Sequence, residues 1–415
     1  MGSGVRLLAA VVGPLLLSTG CAGGYIARTA QVREAWGAGE PKMAADRLDA
    51  IWATDKNDKD KLLYLFDKGM LLHAAGSWEE SIKVLAEADE LAQKLNFTSV
   101  SEEAGALLAN ESVRAYRGED FERLMISVLQ ALNYAQLGRD EDALVEIRRC
   151  NERLEKMVSD EKKPYEQLAI ARYLGGVLYE DQKDWDAAAI DYLKAGQSSK
   201  QLRGAAAEPL LRLAKKTARD DAYQALLKRY PQVEHEPMAT TEGQVVVIAE
   251  VGEAPHKEST QARGRNNQTL GLAVPQYRYS MRDAPLAKLT VEGQVYEAST
   301  VTSVDEVARL HLNDRIGKLL ARAFASTAIK AGAAAAVGVL TKSEAVGVAT
   351  FAVLMAVSNH ADLRSWLSLP AEFQVARARL KPGKYTLTIS VGGQRYTREA
   401  EVKAGRISVV VIRVF

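Results

Sequence analysis

"DKGMLLHAAGSWEESIKVLAEA", residues 67 to 88, decides how the first half of this 415-residue chain folds. Gly69 and Ser81 are small, Leu72, Trp78 and Leu85 are large, and Gly76 stands between the two groups. The spacing returns in "QALNYAQLGRDEDALVEIRRC", residues 130 to 150, through Ala131, Tyr134, Gly138, Ala143, Ile147 and Cys150. It returns again in "LGGVLYEDQKDWDAAAIDYLKA", residues 174 to 195, through Gly176, Tyr179, Lys183, Ala188, Tyr192 and Ala195. Small residues at these intervals let two antiparallel helices touch, large ones fill the seam, and Gly76 and Gly138 permit the tight turn between them. "EAWGAGEPKMAADRLDAIW", residues 34 to 52, is a weaker copy with Gly39, Ala44 and Leu48 in register, and a further pair is expected between Glu208 and Tyr230. From Tyr25 to about Tyr230 strand signals are scarce and Ala, Leu, Glu, Lys and Arg recur at helical spacing, so this region is predicted to be all-helical.

These stretches resemble tetratricopeptide repeats (TPRs). Corresponding positions fall 62 and 45 residues apart, against 34 in the regular repeat, so extra helix or loop is expected, and Ser99-x-x-Glu102 reads as the capping box of one inserted helix. The expectation is an irregular solenoid. Its concave face is lined by the first helix of each pair, and in such folds it receives an extended peptide or a partner helix. By alignment that face carries Leu63, Phe66, Met70 and His73, then Met125, Val128, Leu132 and Ala135, then Ile170, Tyr173, Val177 and Glu180. Phe66, Met70, His73, Val128, Leu132, Tyr173, Val177 and Glu180 are therefore the candidate partner groove, the alternative being that inserted helices cover them as core. The groove is apolar and lacks the Lys and Asn clamp with which some relatives grip a carboxylate terminus.

After "YPQVEHEP" the texture changes, and the domain plan is a helical solenoid over residues 21–232, a linker over 233–243 and a β domain over 244–415. "GQVVVIAEVG" reads as a buried strand, Glu253 to Gln268 as a polar loop, and "PLAKLTVEGQVYEASTV" as a hairpin about Gly293. The last 44 residues read as four strands with turns at Pro382-Gly383, Gly392-Gly393 and Ala404-Gly405. The fold class is α+β: an all-α TPR-like solenoid followed by an antiparallel, sandwich-like β domain. That domain is interrupted over 304–358 by a helical insert that opens on a Ser303 cap and loses nearly all polarity after Lys330. Two helices packed on the sheet explain the insert. A segment that enters a bilayer or an oligomer core through residues 331–357 is the alternative, although Lys342 and Glu344 would sit at its tip.

"NHADLRSWLSLPAEFQVARARLKPGKYTL", with "APLAKLTVEGQ" and "LNDRIGKLLARAFASTAIKA", resembles the C-terminal region of a family of uncharacterised bacterial outer-membrane lipoproteins that combine TPR-like helices with a β domain. The resemblance implies envelope or peptidoglycan work, since members are often encoded beside a small lipoprotein of the type that activates penicillin-binding proteins. On physical grounds Asp362 and Arg364 pair to pin the turn from the apolar helix into the next strand, and Trp366 plugs it.

The N-terminus fits that resemblance. Arg6, the apolar run Leu7 to Leu17 and the small residues Ser18-Thr19-Gly20 have the three parts of an export signal, too short to span a bilayer. "LLLSTGCAGG" resembles the lipoprotein lipobox, with Ser18 standing where Leu is usual, and implies that residues 1–20 are removed and Cys21 is acylated. Ala22, where Asp would favour inner-membrane retention, implies an outer-membrane anchor facing the periplasm of a Gram-negative bacterium. Cys150 is then the one remaining thiol, expected buried and inert, so no internal disulfide is available.

A formal charge of +1 offers no field for nucleic acid. His73, His235, His256, His311 and His360 are scattered without metal-ligand spacing, and no phosphate loop or nucleophile elbow is present, so neither a cofactor, a metal nor catalysis is expected. The sequence thus describes a lipid-anchored periplasmic scaffold that recruits a protein or peptide partner in the envelope, possible also as an oligomer. The alternative is a subunit of an envelope assembly or secretion complex that works through its apolar insert.

Overall fold

The computed structural model describes residues 24–96, 114–159, 168–263, 269–278, 284–358 and 361–415. The surplus segments at 97–113 and 160–167, the Ser99 capping box, the leader with Cys21, and His360 lie outside them.

Among the described residues the helical half is built of five antiparallel pairs: α1 Ala30–Gly37 with α2 Pro41–Thr54, α3 Lys61–Ala74 with α4 Trp78–Asn96, α5 Asp120–Gln136 with α6 Asp140–Ser159, α7 Ala169–Asp181 with α8 Trp185–Ser198, and α9 Gly204–Lys216 with α10 Asp220–Arg229. The small residues do what their spacing demands. A Cβ on Gly69 would stand 2.5 Å from Leu85, and one on Gly176 2.8 Å from Tyr192, so a larger residue would push each pair apart. Ser81, Ala131, Ala143 and Ala188 are fully buried at the matching crossings. Gly76 and Gly138 turn the chain with φ of +77° and +69°, and Lys183 takes the same left-handed conformation at +68°. Cys150 is buried, and burial pushes its thiol up to about 12, which keeps it unreactive.

The second half contains ten strands among the described residues. Sheet A has the order β10 (Ile407–Val414), β1 (Gly243–Val251), β7 (Glu372–Leu380), β6 (Ser299–Ser303), and sheet C the order β5 (Gln294–Glu297), β4 (Lys288–Val291), β8 (Gly383–Val391), β9 (Gln394–Val402). The pairing is antiparallel except that β1 and β10 run parallel, Val247 opposite Val410. Between β1 and β4 the expected polar loop is instead a ribbon of β2 (His256–Arg263) and β3 (Thr269–Arg278). Most of β2 faces water, with Lys257 and Ala262 turned inward, so its composition conceals a strand.

Sheet A is the middle layer. Val245, Val247, Ala249 and Val251 of β1 face sheet C, while Val246 and Ile248 belong to the same core as the solenoid helices. Strand β7 divides in the same way, Ala376 and Ala378 to one side and Phe373 and Val375 to the other. All nine residues of β1 are buried, which is why Val245 to Ala249 read as an unbroken apolar run. Helices end at Arg229 and strands begin at Gly243, yet the two regions share one hydrophobic core.

The insert departs from the expectation of a pair packed on the sheet. Helix α11 (Val304–Thr341) is capped by Ser303 and buries Val304, Ala308, Leu312 and Leu319 at its root; Ile316, Leu320 and Ala323 rest on Ala262, Leu272 and Val274. Beyond Phe324 it leaves the body and returns as α12 (Glu344–Ser358), with no sheet against its distal half.

A shared core makes unfolding cooperative across both halves. Calorimetry is expected to show one transition, lowered by about 3 kcal/mol or more by Ile248→Asp, which buries a carboxylate between layers. Val295→Thr, at a side chain 60% exposed, should shift stability by no more than about 0.5 kcal/mol.

Candidate functional site

Each of the eight candidate groove residues is buried. Phe66, Met70, Tyr173 and Val177 are completely inaccessible, and His73, Val128, Leu132 and Glu180 are at most 3% exposed. Among the described residues, sheet A and the Trp366 loop before it pack against them. These residues therefore form an internal interface, and their assignment as a free partner site is corrected: an apolar row on a first helix looks the same in sequence whether a peptide or the chain's own strand will cover it.

The interface is polar at fixed points. Arg377 of β7 reaches into the helices and donates to Tyr192 Oη at 2.8 Å and Glu180 Oε2 at 3.1 Å. Glu180 also accepts from Arg212 at 2.6 Å and from Tyr192 at 2.7 Å, and Arg212 is held by Glu208, which Arg379 meets from the sheet at 2.7 Å. Burial by itself would raise the Glu180 carboxyl, but Arg377 and then Arg212 overcome it and hold it down at about 2. At the other end of β1, His73 lies 2.6 Å from Asn133 Oδ1 and 3.0 Å from Glu250 Oε1. Asn133 spends its amide on Ser81, so its oxygen faces the ring, and both imidazole nitrogens meet acceptors. Burial opposes charge on the ring; the Glu250 carboxylate outweighs it and raises the His73 pKa.

Asp362, Arg364 and Trp366 form a third fastening, at the root of the insert. Arg364 forks onto Asp362 at 2.8 and 2.9 Å and also donates to Asp60 at 3.0 Å. Trp366 is 1% exposed and stacks on Phe66 with ring centroids 4.4 Å apart. Its backbone N–H donates to Glu122 and its indole to Ser368, which in turn donates to Asp67. Burial raises the Asp67 carboxyl to about 6, its bonds from Ser368 and Tyr25 offsetting only part of that cost. A cavity of about 180 Å³ opens beside this loop. Its cations are engaged: Lys257 and Arg315 hold Glu119, and Arg123 holds Asp120 and Asn96. Burial would raise Glu119, but these cations bring it down to about 2. Among the described residues no group of His, Cys, Asp and Glu could hold a metal ion.

The uncovered surface is the hairpin. Leu340 is 82% exposed, Val339 77% and Val348 64%, with Phe324, Ile329 and Val346 also open to solvent. Its seam is made of backbone and small side chains: a Cβ on Gly347 would stand 3.1 Å from the Ala334 carbonyl oxygen and 3.3 Å from Gly338 Cα. A groove of about 540 Å³, almost wholly apolar, runs along it between Ala331 and Phe351. Among the described residues α11 is the helix long and apolar enough to cross a membrane by length and composition; its most apolar window has a mean hydropathy of 1.5 and is 11% buried. The apolarity was visible in the sequence, whereas its exposure was not.

No family model and no curated protein matches the chain. Two solved structures from Podosopora anserina, described as kinesin light chain nearly identical TPR-like repeats and a point variant of it, are each 13% identical over 49% of this chain and 91% of theirs. At a TM-score of 0.33 the superposition is too loose to carry an inference about this chain.

Two results are expected of the interface. Arg377→Met, which removes one of the two cations on buried Glu180 and leaves Arg212, should cost about 2–3 kcal/mol in urea unfolding. Stability should also fall as pH drops from about 4.5 toward 2, because Glu180 and Glu119 are held near 2 and must then take up protons on unfolding. Asp67 works with the opposite sign, since its raised value favours the folded state as pH falls from about 6 to 4. Glu180→Gln should flatten the acid limb, and Asp67→Asn should remove the gain between pH 6 and 4, each read from melting temperature against pH.

Proposed function

We propose that this chain is a lipid-anchored scaffold of the Gram-negative envelope, held to the periplasmic face of the outer membrane by acyl chains on Cys21. The solenoid and sheet form one rigid body, and the exposed hairpin makes the body's apolar contact. The observation that carries this reading is the contrast between a concave groove closed by the chain's own strands and an insert left bare. A contiguous exposed apolar surface on a well-packed body marks a binding surface. It favours an envelope assembly component working through residues 331–357 over a peptide-binding solenoid. The signal-like leader and the lipobox-like "LLLSTGCAGG" support tethering.

Two variants separate the readings. Phe66→Glu with Tyr173→Glu should collapse the fold, because both side chains are core. Leu340→Glu with Val348→Glu should leave the melting temperature unchanged while abolishing the protein's large envelope complexes, detected by cross-linking in cells. Intact complexes in the hairpin variant would return the contact to another face of the body.

A further inference from the structure

We infer that the hairpin α11–α12 inserts into the hydrocarbon of a lipid bilayer, and that this bilayer is the one entered by the acyl chains on Cys21. The inference rests on the tethered scaffold reading and names what its apolar contact touches.

Three observations converge on lipid. The first is inverted packing. A helix pair stable in water puts its large apolar side chains in the seam, where burial drives association. Here Ala334, Gly338 and Gly347 make the close approach of the two helices, while Leu340, Val339 and Val348 are left exposed. In lipid there is no hydrophobic force between helices, and close backbone approach through small residues holds them together instead. The second is the charge pattern. No charged residue occurs from 331 to 341 or from 345 to 358, so neither helix has the polar face that would let it lie flat at an interface. The 15 residues of α12 reach about 22 Å, past the midplane of a core about 30 Å thick. Lys342 and Glu344, opposite in sign and two residues apart, form the polar tip.

The third observation selects a bilayer over a second copy of the chain. The hairpin root and the N-terminus are tied to the same residues. Asp60 accepts from Arg364, six residues past the end of α12, and from Arg28; Asp67 accepts from Ser368 at 2.7 Å and from Tyr25 at 2.8 Å. Cys21 precedes Tyr25 by four residues, at most about 14 Å of extended chain. Acyl chains there would enter lipid close to where the apolar helices leave the body.

The test uses the mature chain with Cys21→Ser, so that no acyl group contributes, mixed with vesicles of phosphatidylethanolamine and phosphatidylglycerol. The chain should float with the vesicles in a density gradient. Leu340→Glu with Val348→Glu should float roughly tenfold less or worse, at an unchanged melting temperature. Leu340→Trp should emit at shorter wavelength with vesicles and be quenched by lipids brominated along the acyl chain. A Cys21→Ser chain that stays at the bottom of the gradient as a monomer overturns insertion. So does one that forms a discrete oligomer by light scattering and leaves the vesicles alone, since the hairpin would then belong to a second copy. Metabolic labelling of the unaltered protein with palmitate reports on tethering separately. Label without flotation sinks the hairpin's role and keeps the anchor; flotation without label does the reverse.

Discussion

Strands β1 and β7 have two apolar faces, and neither can be left in water. Sheet C covers one, and among the described residues the solenoid helices cover the other, in one core with Phe66, Met70, Tyr173 and Val177. The halves are thus complements. Val246, Ile248, Phe373 and Val375 cross that boundary, and at about 1.5–3 kcal/mol for each buried side chain they alone match the whole affinity of a micromolar ligand, about 8 kcal/mol. A peptide of ordinary affinity cannot displace the sheet. The surface that defines binding in an open solenoid is here spent on folding.

Apolar contact alone would not fix where the sheet sits, because β strands slide easily over a greasy face. Slipping β1 by one residue exchanges its two faces. The polar contacts prevent this. Gln244 meets Arg377 within the Glu180 network, and Glu250 meets His73; both lie on the solenoid face of β1, six residues apart, so the strand is pinned at each end. Gln136 does the same for the edge strand β10, its amide donating to Val409 O and accepting from Val411 N as a neighbouring strand would. Buried charges of this kind add little net stability, since desolvation consumes most of their attraction. Their contribution is register, and through it the position of the Trp366 loop and the root of the insert.

Much of this was legible in the sequence, and the failures share a cause. Helix pairs were readable because Gly69, Ala131 and Gly176 must be small wherever two helices touch, a requirement local to the pair. The four C-terminal strands were readable from their turns and alternation. Burial by distant parts of the chain was not. Phe66 under Trp366 and Tyr173 under β7 look in sequence as they would under a foreign peptide, and over residues 256–262 of β2 Lys257 and Ala262 are the buried side chains, five apart and so without alternation. The same limit hid the hairpin's exposure: "AGAAAAVGVL" is as apolar as a core helix, and nothing local says that its neighbours stop at Ala323.

That stopping point explains why the insert resists a soluble role. At its root α11 obeys the rules of water, with Leu312 and Leu319 inward against the body. Past Lys330 the same helix reverses them, Ala334 and Gly338 inward and Val339 and Leu340 outward, without any break in the helix. Two packing rules on one helix are what the proposed passage between two solvents requires. The change falls where the protein body ends, and the fastening of Arg364 and Arg28 to a common Asp60 ties the segment around Arg28 to the loop that follows the hairpin. Turning large side chains back into the seam would require larger residues at 338 and 347, where even a Cβ would stand 3.1 to 3.4 Å from the opposing backbone and would push the helices apart. The seam therefore suits surroundings in which exposed Leu340 and Val348 carry no penalty, and the bilayer interior proposed for the hairpin supplies that condition.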